Sequence, residues 1–217
     1  MTVQAAILRL LYRIDPKLKS GTLVASGNIS TWSTDGGDKF TAQRVIDIYN
    51  EARLALANAI DRYYPKDMKG STISGTLKKK TNLQFASGVA DKTTITGYIK
   101  TERLFNAAGT QISVLPVSEM QETEDLNSAA NPIVYEYTTS FAQKTADSAI
   151  IADASTYVLW YYGVTTYTLA NVTAGTEVEE FNEDWIPAII QIAEAIASEQ
   201  GSKVVNALAQ QLVSIGK

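Results

Sequence analysis

The sequence predicts an α+β fold in which N-terminal and C-terminal helices form a helical bundle and an antiparallel β-rich region is inserted between them. Apolar residues recur with helical spacing near both ends of the chain, whereas the middle holds short β-prone runs separated by turn residues. With 217 residues, of which 45% are hydrophobic, the chain can bury a core. We expect N-terminal helices in residues 1–69, the β-rich insertion in residues 70–181 and C-terminal helices in residues 182–217.

Two helices are predicted in the first segment. The first covers residues 3–14 and ends at Asp15-Pro16, and a short strand near Leu23 and Val24 follows it. The second helix begins at Thr41, which can cap it, and ends before Pro65. Its apolar residues alternate in steps of four and three and are Val45, Tyr49, Ala52, Leu56, Ala59 and Tyr63. This stripe predicts intrachain core, and a coiled-coil seam with another subunit is the alternative.

The insertion is predicted to contain six short strands. They are expected at residues 83–85, 93–99, 110–115, 133–139, 157–162 and 165–169. The segment from Glu119 to Asn131 is rich in carboxylates and has no apolar period, which indicates an exposed acidic loop.

The last segment returns to a helical period. Asn182 or Asp184 can cap a helix whose first turn holds Pro187, and Gly201 interrupts the helical run. Either two short helices or one kinked helix fits this pattern. After Gly201 an apolar stripe resumes at Val204, Val205, Leu208, Leu212 and Ile215.

The composition excludes several kinds of chemistry. The chain contains no Cys and no His, which rules out disulfides, thiol nucleophiles, His-dependent triads and zinc sites of the Cys/His type. It has neither a Gly-x-x-x-x-Gly-Lys-Ser/Thr loop nor a Gly-x-Gly-x-x-Gly fingerprint. No apolar run reaches the roughly 18 residues of a membrane span. What remains is carboxylate, lysine, hydroxyl or backbone chemistry, or no chemistry. Of these we expect no enzyme activity, and we also expect no cofactor and no membrane association.

Charge is distributed unevenly along the sequence. Residues 1–100 hold 15 basic and 8 acidic side chains, whereas residues 101–217 hold 4 basic and 15 acidic ones. Such a split favours either a half that faces nucleic acid or complementary faces through which identical subunits meet. Chance combined with a solvated surface is the plain alternative.

Two charged clusters are candidate contact sites. The basic run is Lys78, Lys79 and Lys80, which we expect in a solvated loop, with contacts to DNA phosphates or to a neighbouring subunit as the functional alternative. The acidic cluster is Glu177, Glu179, Glu180, Glu183 and Asp184. Its position before a helix favours solvated carboxylates or an acidic interface over the paired carboxylates of a hydrolase or a cation site.

Aromatic residues cluster late in the insertion, at Tyr157, Trp160, Tyr161 and Tyr162. They indicate sheet core or an interface anchor. Base stacking is disfavoured because no Arg accompanies them in the sequence.

The order of segments resembles the head-to-tail adaptor, or connector, proteins of tailed bacteriophages. The residues that carry the resemblance are the strand ending in proline at 109–116, the tyrosine-bearing segments 132–137 and 156–162, and the acidic Trp/Pro helix entry at 181–190. An alanine-rich helix pair then runs to Gly216. The resemblance covers the second half of the chain by motif and the first half by layout.

This resemblance implies a structural virion protein located in the neck and assembled in the host cytoplasm. It implies a homo-oligomeric, typically dodecameric ring that binds the portal protein and a downstream neck or tail protein, with DNA passing through without sequence-specific contacts. Portal docking would fall on the C-terminal stripe from Val204 to Ile215. The alternatives are another phage tail or baseplate structural protein and, less favoured, a carboxylate-dependent hydrolase.

Overall fold

A computed structural model describes residues 1–14, 40, 42–63, 77–119, 133–144 and 155–215. The chain divides into two compact units, a helical unit formed by Met1–Leu77 with Val164–Lys217 and a sheet unit formed by Lys78–Gly163. The predicted fold class is wrong. Over the described ranges the chain has five helices and a seven-stranded mixed half-barrel sheet, and the helices are not a bundle around an inserted β region.

The helical unit contains five α-helices among the described residues. They are α1 (Val3–Ile14), α2 (Ala42–Tyr63), α3 (Leu169–Ala174), α4 (Ile186–Ala197) and α5 (Ser202–Ile215). Helix α2 packs against α4 and α5, and α1 packs against α4. None of the helices in the described ranges combines the length and the apolar character that a membrane span requires.

The predicted stripe on α2 is intrachain core. Val45, Tyr49, Ala52, Leu56 and Ala59 are all buried within the chain, so they do not form a seam for another subunit. The side chain of Tyr63 lies outside the described residues, as does the predicted cap Thr41.

A strand predicted at residues 165–169 is wrong, because these residues lead into α3. The Thr168 side chain accepts a hydrogen bond from the Asn171 backbone N–H, and the Asn171 side chain accepts one from the Thr168 backbone N–H. This reciprocal capping box starts a helix where β-branched residues suggested a strand. Gly175, with φ of 69°, ends the helix in the left-handed conformation.

The C-terminal part forms two helices rather than one kinked helix. Helix α4 starts with Pro187 in its first turn, where the missing N–H costs nothing, and ends before Ser198. Helix α5 follows after Gly201. The face of α5 that is buried consists of Val205, Ala209 and Val213, four residues apart.

The sheet unit has seven strands in the order β1-β7-β3-β4-β5-β6-β2. The strands are β1 (Lys78–Gln84), β2 (Val89–Asp91), β3 (Tyr98–Phe105), β4 (Gln111–Pro116), β5 (Ile133–Glu136), β6 (Ser140–Lys144) and β7 (Thr156–Gly163). All pairs are antiparallel except β4 with β5, which are parallel. The sheet is therefore mixed, because the long connection after β4 lets β5 run in the same direction.

Two predicted strands agree with β4 and β7, the strand predicted at 133–139 starts as predicted but ends at Glu136 as β5, and the other predictions in this unit differ. The strand predicted at 93–99 is wrong, because the Asp91 side chain accepts hydrogen bonds from the backbone N–H and hydroxyl of Thr93. This turn delays β3 until Tyr98. The strand predicted at 83–85 is the end of β1, which begins at Lys78.

One face of the sheet carries its hydrophobic core. Its buried members are Leu83, Phe85, Ala90, Leu104, Ile112, Val134, Phe141, Tyr157 and Leu159. The rings of Phe85 and Tyr157 meet edge to face with centroids 4.8 Å apart, an arrangement that aromatic pairs prefer.

Some predictions lie outside the described residues. These are the strand near Leu23 and Val24, the part of the acidic loop after Glu119, and the domain boundary at residue 70. In the sequence, the boundaries between the two compact units lie at Leu77/Lys78 and at Gly163/Val164.

Candidate functional site

The helical unit contains a buried polar cluster centred on Arg53, which we call the Arg53 network. Arg53 Nε donates to Glu179 Oε1 at 2.9 Å, and Arg53 Nη2 donates to Glu180 Oε2 at 2.8 Å. Arg53 Nη1 donates to the Thr165 backbone oxygen at 2.5 Å. One side chain on α2 thus binds two separate parts of the segment between β7 and α4.

Two tyrosines complete the Arg53 network. Tyr49, one turn before Arg53 on α2, donates from its hydroxyl to Glu179 Oε2 at 2.7 Å. Both carboxylate oxygens of Glu179 therefore have donors. The ring of Tyr167 lies under the guanidinium, with 4.2 Å between the guanidinium carbon and the ring centroid, which adds a cation–π contact.

The pKa values of the two tyrosine hydroxyls follow from this burial. Desolvation raises the pKa of Tyr49 well above its usual range, and the neighbouring Glu179 carboxylate raises it further. Desolvation likewise raises the pKa of Tyr167, although the Arg53 charge opposes the increase. Both groups are neutral hydrogen-bonding partners, so the Arg53 network holds one fixed cation against carboxylates.

Three of the five carboxylates in the predicted acidic cluster make ion pairs within the chain. Glu179 and Glu180 bind Arg53, and Glu183 accepts a hydrogen bond at 2.9 Å from the amino group of Met1. That bond lowers the pKa of Glu183. Glu177 and Asp184 have exposed side chains, and the Glu177 backbone oxygen accepts from the Val3 N–H.

Sequence reasoning missed Arg53, although a signal was present. Arg53 follows Tyr49 by four residues and precedes Ala57 by four, so it lies on the buried side of α2. A charged residue at such a position needs a partner in the core. Two adjacent carboxylates, Glu179 and Glu180, were the matching feature elsewhere in the sequence.

The sheet unit carries a second feature, which we call the cation–aromatic face: Lys78, Lys80, Lys100, Glu102, Arg103, Trp160 and Tyr162. Register pairs across β1, β7 and β3 place Lys80, Trp160 and Arg103 in one row. They place Lys78, Tyr162 and Lys100 in a second row. Directly opposed residues share a face of the sheet, so each row is an aromatic ring flanked by two cations.

The two rows differ in exposure. Tyr162 is only 3% exposed, with the amino groups of Lys78 and Lys100 at 5.9 and 5.2 Å from its ring centroid. Trp160 is 38% exposed, and Lys80 lies 5.9 Å from its ring centroid. The Tyr162 row is closed, and the Trp160 row is open to solvent.

A β-bulge adds a carboxylate to this face. The register of β3 against β7 shifts between Thr101 and Arg103, which leaves Glu102 as the extra residue. Glu102 Oε1 accepts a hydrogen bond from Lys78 at 3.1 Å, and this bond raises the pKa of Lys78. Within the described residues Glu102 Oε2 is buried and has no hydrogen-bond partner, and the same holds for the Tyr162 hydroxyl.

Two cavities adjoin the bulge. One, of about 150 Å³, is lined by Lys78, Glu102, Arg103, Phe105 and Trp160. The other, of about 360 Å³, is lined on one side by Thr101, Glu102 and Arg103 and on the other by β4 and Glu136. Glu102 and Arg103 border both cavities.

The structure corrects two predictions at this face. Lys78, Lys79 and Lys80 do not lie in a loop but in β1, at one edge of the sheet. The aromatic cluster does have an Arg beside it, since Arg103 is opposite Trp160. Sequence reasoning missed Arg103 because it lies 57 residues away along the chain and is placed by strand pairing.

The predicted C-terminal docking stripe is divided between buried and exposed positions. Val205 is buried, Leu208 and Leu212 are half-buried, and Val204 is 52% exposed. The side chain of Ile215 lies outside the described residues. Val204 is thus the member of the stripe that is most open to a partner among those described.

Comparisons with known proteins add no assignment. Neither a scan against protein families nor a search of curated proteins gives a match.

The uneven charge along the sequence does not correspond to a difference in net charge between the two units. Residues 78–163 hold 7 basic and 9 acidic side chains, a net charge of −2, and the remaining residues hold 12 and 14, again −2. Surfaces of complementary charge are therefore local features, such as the cation–aromatic face, and do not correspond to whole halves of the chain.

Proposed function

We propose that this chain is a structural virion protein, a head-to-tail adaptor that forms a ring between the portal and the neck or tail and extends the DNA channel. The order of the sequence segments supports this class of protein. The observation that carries the choice of a structural role is the ion pair between buried Arg53 and Glu179.

The Arg53 network argues against the hydrolase alternative. Paired carboxylates act in glycoside hydrolysis only where the acid and the nucleophile or base face a substrate. Glu179 is instead buried and accepts from Arg53 and Tyr49, while Glu180 accepts from Arg53 and from the Thr165 backbone N–H at 3.0 Å. These contacts hold α2 against the segment before α4, which is a structural role.

Helix α5 supplies the surface that we assign to portal docking. Val204 is a large, exposed apolar side chain on α5, and another face of this helix is buried against α2 and α4. Single exposed apolar residues are common on protein surfaces, so the assignment of docking to this helix rests on the sequence resemblance, and Val204 is the residue through which it can be tested. The neighbouring position, Val205, is part of the core and serves the fold.

Electron microscopy of negatively stained protein, together with sedimentation velocity, tests the proposal on the purified chain alone and mixed with its candidate portal. Rings with a central hole, formed alone or on the portal, are the expected result. Monomers that do not bind the portal would overturn it. Particles of another symmetry, located in the tail or baseplate, would favour the other structural role.

A pair of valine variants tests the docking surface. Val204→Asp should weaken ring or portal binding at least about tenfold, because it places a charge in an apolar contact. Val178→Asp is the matched control, since Val178 is 65% exposed and lies outside α5. Both variants should keep the far-UV circular dichroism of the parent chain. Equal binding by both would exclude α5 as the docking helix.

A further inference from the structure

The cation–aromatic face combines three features that one class of ligand satisfies together. Its cations are Lys78, Lys80, Lys100 and Arg103, which share the face with the carboxylate of Glu102. The ring of Trp160 is open to solvent. Glu102 Oε2 is a buried acceptor that lacks a donor within the described residues. A fitting ligand needs an anionic group, a flat ring and a hydrogen-bond donor.

We propose that the cation–aromatic face binds single-stranded nucleic acid, with phosphates beside Lys80 and Arg103 and a base stacked on Trp160. Single strands offer unpaired bases to aromatic side chains while basic residues contact the backbone. In a duplex the bases are stacked on each other, so Trp160 would find no free base. This site does not depend on the proposed role as an adaptor.

The arrangement of the two rows assigns them different parts in binding. They are two residues apart on β1 and β7, which corresponds to about 7 Å, and three residues apart on β3 because of the bulge. Tyr162 lies between Lys78 and Lys100 and is already covered, so its ring is not offered to the ligand. Trp160 has Lys80 on one side and Arg103 on the other, so a base on its ring lies between two phosphate-binding cations.

The bulge provides the third contact. Glu102 borders the 150 Å³ cavity together with Trp160 and Arg103. A base amino group or a sugar hydroxyl that enters this cavity can donate to Glu102 Oε2. Such a bond gives a partner to an acceptor that is otherwise costly to leave unpaired. Bulges commonly redirect a side chain in this way next to a binding site.

Nucleic acid fits these features better than an acidic protein does. An acidic segment supplies carboxylates for the cations, but these side chains only accept hydrogen bonds, so a donor to Glu102 Oε2 would have to be a backbone N–H. The carboxylates also offer no ring to Trp160. A nucleotide has all three groups in one unit.

Fluorescence anisotropy with a labelled deoxycytidine oligonucleotide of about 12 nucleotides, which is within the usual site size and carries an amino group on every base, tests the proposal. Binding by the full chain should weaken as salt increases. Trp160→Ala should reduce affinity at least about fivefold through loss of stacking, whereas Trp160→Phe should retain most of the affinity. Arg103→Glu should also reduce affinity.

Lys203→Glu is the matched control for Arg103→Glu, since it makes the same charge change at an exposed position on α5. It should leave affinity within about twofold, because Lys203 is not one of the residues that form the cation–aromatic face. The proposal is overturned if Trp160→Ala binds like the parent chain, or if duplex DNA binds as tightly as the single strand. Equal competition by polyglutamate would overturn it in favour of an acidic protein partner. Ring formation is a separate measurement, so each proposal can fail alone.

Discussion

Arg53 and Glu179 form an ion pair that is closed to solvent, with 2.9 Å between Nε and Oε1 and side chains 0% and 1% exposed. The two residues are 126 positions apart in the sequence. Transfer of both charges out of water is costly, and the pair is tolerated because the remaining donors and acceptors also have partners. The pair therefore fixes one arrangement of α2 against the segment before α4 and contributes less to net stability than its distance suggests.

Removal of the cation should destabilise the helical unit strongly. Arg53→Met leaves Glu179 buried without its charged partner, and we expect the free energy of unfolding to fall by about 3–5 kcal/mol. Urea unfolding followed by far-UV circular dichroism measures this change. Arg44→Met on the same helix is the control, since Arg44 pairs with Glu51 at the surface and should cost no more than about 1 kcal/mol.

The double variant Arg53→Met/Glu179→Gln separates the buried charge from lost packing. Glutamine can still accept a hydrogen bond from Tyr49, and it carries no charge. The double variant should therefore be more stable than Arg53→Met alone. If it is less stable than Arg53→Met, an uncompensated Glu179 charge is not what destabilises the single variant.

Alkaline solution should destabilise the chain through its buried tyrosines. The pKa of Tyr49 is raised by burial, so the hydroxyl stays protonated in the folded state where the unfolded chain ionises. Stability from this group is complete below about pH 10 and is lost as pH rises above it, at about 1.4 kcal/mol per pH unit. Urea unfolding at a series of pH values should show Tyr49→Phe with a smaller slope above pH 10; an unchanged slope would contradict the assignment.

The helices were predictable from the sequence because their signals are local. The stripe on α2 and the break at Gly201 depend on residues three to four positions apart. Capping by Thr168 is also a local signal. It was overlooked because the β-branched residues at 165–169 suggested a strand. A hydroxyl three residues before Asn171 was the stronger signal.

The sheet and the two sites were harder to predict because strand pairing brings distant residues together. Nothing in the sequence near Trp160 indicates that Arg103 and Lys80 lie on either side of it. The parallel pairing of β4 with β5 likewise joins residues that no local signal in the sequence connects. For the same reason the fold class was wrong although most helices were correct.

A methyl group at Gly163 should destabilise the end of β7. A Cβ at this position would lie 2.8 Å from the Gly97 backbone oxygen and 2.8 Å from the Tyr161 ring. We expect Gly163→Ala to cost about 1–3 kcal/mol, since such crowding forces neighbouring groups to move. Gly201→Ala is the control because its Cβ would meet nothing within 4 Å. Thermal unfolding of both variants measures the difference, and equal midpoints would contradict the prediction.

Two tyrosines on β7 should differ in how the loss of their hydroxyls changes the free energy of unfolding. The Tyr157 hydroxyl accepts a hydrogen bond from Gln143 Nε2 at 2.9 Å, so Tyr157→Phe removes one buried hydrogen bond and should cost about 1–3 kcal/mol. The Tyr162 hydroxyl is buried without a partner in the described part of the chain, so Tyr162→Phe should be neutral or stabilising. Because both changes remove one oxygen from the same strand, urea unfolding compares them directly. A loss of stability in Tyr162→Phe as large as that in Tyr157→Phe would show that the Tyr162 hydroxyl does have a partner in the folded protein.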